Sequence, residues 1–206
     1  MKAKVSLLFT LALLLPGCVP TSINPLYTPK DLIFDPALLG VWGEGDSKET
    51  WTFERPEKGG DKNYTLKHTD NDGRIGEFDA HLLKLSQQMF LDLHLSDYGG
   101  DDNFKGNMLA NFAMIIRPGH LFLKVDQVGP VLQMRLISLE TLETLLKKNP
   151  KAVRHERIMW GEEGRLVLTA KTRELQRFIL KHMNDEKFFG NATELEKRPA
   201  SKPVNP

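Results

Sequence analysis

The sequence predicts a mainly β protein of short antiparallel strands interrupted by two helices. Three observations carry this. Apolar and polar residues alternate with a period of two through most of the chain. Turn-forming Gly, Pro, Asn and Asp fall between the alternating runs, and only two stretches switch to helical spacing. About nine or ten strands at this spacing close into a barrel or pack as a sandwich.

The elements follow in order. A first strand begins at Gly40-Val-Trp42. In Thr50-Trp-Thr-Phe-Glu54, Trp51 and Phe53 face one way, and Thr50, Thr52 and Glu54 the other. Tyr64 and Leu66 alternate with Thr65 and Lys67; Phe78, Ala80 and Leu82 with Glu77, Asp79 and His81; Leu91, Leu93 and Leu95 with Asp92, His94 and Ser96. This marks half-buried antiparallel strands. Weaker versions follow at Phe112–Ile116, Leu121–Val125, Leu132–Leu136 and Leu166–Leu168, and a short last strand at Thr193–Lys197. Asp70-Asn-Asp-Gly73, Arg117-Pro-Gly119, Val128-Gly-Pro130 and Gly161-Glu-Glu-Gly164 supply turns with positive φ or a fixed proline φ.

The first helix spans Leu139–Lys148. Ser138 is its N-cap, Lys147 and Lys148 complement its C-terminal dipole, and Pro150 stops it. The second, an amphipathic helix near the C-terminus, runs from Thr172 to about Asn184. It places Leu175, Phe178, Ile179 and Met183 on one stripe that covers the sheet.

The N-terminus speaks of location. Lys2 and Lys4 precede an apolar run, Val5–Leu15, too short to span a bilayer. It ends in Leu15-Pro16-Gly17-Cys18, which resembles a bacterial lipobox. The resemblance implies cleavage before Cys18 and acyl chains, palmitate among them, on that residue. The protein is then a lipoprotein of the cell envelope, on the periplasmic side of the outer membrane where the source has two membranes. The mature chain keeps 189 residues, with 26 basic against 27 acidic, and Cys18 is its only cysteine. Such a balance gives no electrostatic case for nucleic acid, and attachment falls to the acyl chains, each buried CH₂ contributing about 0.8 kcal/mol.

Gly40-Val-Trp42, many antiparallel strands, a late amphipathic helix and one returning strand together resemble the lipocalin-like β-barrels. That resemblance implies that Trp42, after Gly40, closes the barrel bottom and that a basic residue near the last strand, Arg198 or failing that Lys197, stacks on it. The wording from Ile23-Asn-Pro-Leu-Tyr27 through Glu49-Thr-Trp-Thr-Phe53 is also similar to a group of uncharacterised bacterial lipoproteins. The expected organisation is a signal peptide (1–17), a lipidated, proline-rich tether (18–36) whose later part packs across the domain, the barrel (37–198) and a disordered tail (199–206).

Chemistry is sparse. There is no Gly-x-Ser-x-Gly, His-Glu-x-x-His, phosphate loop or dinucleotide fingerprint. His81 and His94, with Asp79 and Asp92 beside them, become neighbours on adjacent strands, and the alternation assigns all four to a solvated polar face, without a metal. The acidic stretch Ser96–Asn103 reads as a hairpin connection, and Arg154-His-Glu-Arg157 as a solvated strand. No catalytic residue, cofactor or metal is expected. The inward faces, rich in Leu, Met and Phe, either fill the barrel or line a cavity for a hydrophobic small molecule or lipid. Two non-enzymatic functions follow: a lipid-binding barrel, or a solid one that meets an envelope protein partner.

Overall fold

The computed structural model describes residues 19–57, 60–97, 119–160 and 163–199. The expected signal segment, Cys18, the run Phe112–Ile116, the dipeptide Arg117-Pro118, most of the acidic stretch Ser96–Asn103 and most of the tail lie outside them.

Eleven strands share one sheet among the described residues. They are β1 (Thr21–Ser22), β2 (Gly40–Gly43), β3 (Thr50–Glu54), β4 (Asn63–Thr69), β5 (Ile75–Leu85), β6 (Gln88–Asp97), β7 (His120–Gln127), β8 (Val131–Leu136), β9 (His155–Trp160), β10 (Glu163–Leu168) and β11 (Thr193–Arg198). Strands β2 to β8 pair in sequence order, each antiparallel to the next. β11 fits between β8 and β2, closing an eight-stranded antiparallel barrel.

Two of the predicted turns, Asp70–Gly73 and Val128–Pro130, join strands that pair, while Gly161 and Glu162 of a third lie outside the described residues. Between β4 and β5, Asp70 Oδ1 accepts from the amides of Asp72 and Arg74, each at 2.9 Å, while Gly73 takes φ +82°. The β5–β6 turn is less legible: Ser86 adopts φ 55° between the paired Leu85 and Gln88, without a glycine or asparagine to announce it.

Beyond the barrel the sheet continues. Past the end of β8, the free edge of β7 at His120 pairs with Ser22 of β1, which runs parallel to β10; β9 then pairs with β10. Helix α1 (Leu139–Lys148) begins at Ser138, whose hydroxyl accepts from the Thr141 amide, and α2 (Thr172–His182) follows β10. Both lie against the outside of the barrel. Their buried residues, Leu142 and Leu146 from α1 and Leu175, Phe178 and Ile179 from α2, join Leu83, Leu85, Phe90 and Phe122 from the barrel's outer wall.

The molecule therefore has two cores, one in the lumen and one outside. The lumen draws side chains from all eight barrel strands, among them Trp42, Phe53, Leu66, Leu82, Leu91, Leu123, Met134 and Leu195. The outer core explains why β5, β6 and β7 are apolar on both faces in part of their length.

The stretch expected as a tether lies along this outer wall. Ile23 donates to the Leu168 carbonyl, Ile33 to that of Leu82, and Lys84 to that of Asp31. Leu32 bridges Leu83, so this segment takes over the edge of β5 that β4 leaves free beyond His81. Leu26, within it, is fully buried.

Candidate functional site

The outward-facing polar residues of three adjacent strands converge under the N-terminal segment. Register pairs His81 of β5 with Asp92 of β6, Asp79 with His94, and His94 with His120 of β7. Sequence alternation had assigned this face to solvent. The structure corrects that reading for Asp92, which is 0% exposed because residues 24–33 lie over it.

A buried carboxylate is costly unless its lone pairs are met. Asp92 meets them in two directions. Its Oδ2 accepts from the Leu26 amide at 2.7 Å, and its Oδ1 lies 2.7 Å from His120 Nδ1. The Tyr27 ring stacks on His81 with centroids 4.4 Å apart, and its hydroxyl lies 3.3 Å from His81 Nε2. The His94 and His120 rings are 4.9 Å apart. His81 Nδ1 is buried without a hydrogen-bond partner. Next to this cluster, Gln176 of α2 donates to the Leu26 carbonyl and to Asp31, and Thr172 donates to the Pro25 carbonyl.

Electrostatics follow the burial. Desolvation holds His81 and His94 below the ordinary imidazole range, with His120 as a further cause for both. Desolvation, then the nearby Asp92 and Asp79, pushes the Tyr27 phenol up.

The arrangement has the Asp–His dyad of an acid–base site, and the hydroxyl nearest to it in register is already engaged. Ser22, in register with His120, commits its hydroxyl to the Asn24 backbone at 2.8 Å. Among the described residues no group of three or more His, Asp or Glu is arranged to hold a metal. The cluster ties the N-terminal segment to the barrel through the Leu26 amide on Asp92 and the Tyr27 ring on His81.

The expected closure residues lie at one end of the barrel. Trp42 is fully buried and its indole donates to the Leu38 carbonyl at 2.8 Å. Lys197, opposite Trp42 in the β2–β11 register, puts its Nζ 5.1 Å from the ring centroid. Arg198 is one residue further, on the other face of β11, and donates to the carbonyls of Gly45 and Ser47. Of the two basic residues considered, alternation thus gives the stacking position to Lys197. Gly40 adopts φ +120°, a backbone conformation that calls for glycine, and Lys197 Cε packs over it where a Cβ would lie 3.1 Å away.

Tyr27 and His120 were not singled out from sequence. The signal for His120 was register: only the β6–β7 pairing brings it beside Asp92 and His94, and the pairing spans an intervening stretch of more than twenty residues. No family model, curated protein or solved structure matches this chain.

Proposed function

We propose that the protein is a lipid-anchored lipoprotein of the cell envelope, without enzymatic activity, whose solid lipocalin-like barrel serves as an interaction or assembly module. The observation that carries this reading is the packing of the lumen. Trp42, Leu66, Ala80, Leu82, Leu91, Leu123, Leu132 and Met134 are each 0% exposed. A side chain bordering a ligand-sized void would keep free surface toward it. Eight strands enclose an interior that side chains can fill or that can hold one small ligand, and the zero exposure of these residues favours the first.

The open side of the sheet supplies the surface such a module needs. β9 ends the strand order, so its outer edge pairs with no strand among the described residues, and Ile158 and Met159 are 51% and 61% exposed. Proteins ordinarily blunt an edge of this kind unless something covers it.

The test is thermal unfolding of the mature protein with long-chain alcohols and monoacylglycerols, uncharged so that they probe the lumen. A ligand that binds only the native state at a hundred times its Kd stabilises by about 2.7 kcal/mol. The solid barrel predicts no shift, together with a discrete cross-linked species when a photoreactive residue replaces Met159 in cells. A reproducible shift, with an uncharged lipid co-purifying, overturns it in favour of the hydrophobic-ligand reading.

A further inference from the structure

A groove of about 420 Å³ lies between α2 and the segment that leads from α1 into β9. Its floor is apolar: Val153 and Phe178 are almost fully buried there. Its rim is basic. Lys151 and Arg154 come from the α1–β9 connection, and Arg177 and Lys181 from successive turns on one side of α2. One carboxylate, Glu174, shares the rim, and Arg154 engages it from two nitrogens, at 2.6 and 3.0 Å. Lys151, Arg177 and Lys181 form no ion pair among the described residues.

That imbalance is local. The whole chain carries 28 basic and 27 acidic residues, so partners for three cations are available in number. The fold instead gathers four cations around one carboxylate and an apolar floor. At one side of the groove, burial and then the adjacent Lys181 hold His182 below the ordinary imidazole range, with Asp185 acting against them. The His182 ring, which lines the groove, stacks on Phe188 with centroids 5.1 Å apart.

We propose that this groove binds a phosphate-bearing amphiphile, with the phosphate held by Arg177, Lys181 and Lys151 and the apolar part against Phe178 and Val153. Arginine offers planar paired donors to phosphate oxygens and lysine a compact positive charge. A phosphate with one or two negative charges matches a rim whose net formal charge is +3 with His182 neutral. The site is independent of the lumen and of the lipid anchor, so it stands or falls apart from the function proposed above.

The experiment is calorimetric titration of the mature protein, in non-ionic detergent, with three probes: inorganic phosphate, dihexanoyl phosphatidylglycerol and dihexanoyl phosphatidylcholine. The expected result is binding of phosphatidylglycerol, weakening as salt is raised, with little from the zwitterionic lipid. Phosphate binding as tightly as the lipid would show that the apolar floor contributes nothing and would overturn the amphiphile in favour of a free phosphate compound; tighter lipid binding supports it. In Arg177→Glu/Lys181→Glu, both substitutions on exposed positions, affinity should fall about tenfold or more while the unfolding temperature holds. Arg177→Lys should recover part of it. Absence of binding by both inorganic phosphate and phosphatidylglycerol overturns the proposal, as does equal affinity in the double variant, or exclusive binding of an acidic peptide used as competitor.

Discussion

Asp92→Ala tests whether the buried carboxylate holds the N-terminal segment to the barrel. Asp92 has no exposed surface and accepts from two donors, the Leu26 amide and His120 Nδ1, both at 2.7 Å. Truncation strands both. A buried donor left without an acceptor costs about 1–3 kcal/mol. Against this stands the relief of no longer burying a carboxylate, which keeps the total near the lower end of the about 3–5 kcal/mol typical of breaking a buried pair. The expected loss is about 3 kcal/mol in urea unfolding followed by circular dichroism. Asp92→Asn retains one acceptor oxygen, so it should lose about half as much. Hydrogen exchange at the Leu26 amide supplies the local readout, since the segment should open before the barrel does. A loss below about 1 kcal/mol for Asp92→Ala, with Leu26 protection unchanged, would refute the reasoning and leave the apolar contacts of Leu26 as the whole of the grip.

Three further outcomes are expected. Trp42→Ala removes a fully buried indole and the acceptor-matched donor to Leu38, and should cost about 3–5 kcal/mol in the same unfolding assay. Acidification should loosen the N-terminal segment: His81 and His94 take up protons less readily in the folded than in the unfolded chain. Their stabilisation is therefore held above the ordinary value of 6.5 and lost as the pH falls from there through their lower folded-state values, which proteolysis of residues 23–33 between pH 7 and 5 would register. Conversely, His81→Phe/His94→Phe should flatten that dependence. Cys18→Ser should leave a full-length, unlipidated precursor in the soluble fraction or the wrong membrane; unchanged fractionation would sink the anchor.

Much of the barrel is legible in the sequence, because an antiparallel strand with one buried face writes its alternation directly. Thr50–Glu54 and Leu139–Lys148 coincide with β3 and α1, the latter because Ser138, Lys147 and Lys148 mark its ends chemically. Less legible is what covers the outside. Leu82-Leu83, Phe90-Leu91 and Leu121-Phe122-Leu123 break the alternation, and all seven residues are buried. They are the sequence's own sign of a second core, and with it of a buried rather than solvated Asp92. The two-residue strand β1 and the edge strand β9 carry no apolar alternation and owe their existence to tertiary pairing. The basic groove is harder still, since Lys151 and Arg154 meet Arg177 and Lys181 only after β9 and β10 have intervened.

The closing position of β11 has a consequence for how such a chain is made. Its residues 193–198 seat between β2 and β8, so the first stave of the barrel waits for the last to be synthesised. Residues 23–31 wait in the same way for Leu168, Thr172 and Gln176. A chain that emerges N-terminus first from a ribosome or a translocation channel thus holds an open sheet with two unsatisfied edges until residues 193–198 are through. Contacts of such long separation close slowly, and the waiting intermediate exposes the surface that chaperones and proteases recognise. A chain cut before Thr193 should therefore yield not a smaller barrel but no barrel, and the truncated product should be degraded rather than accumulate.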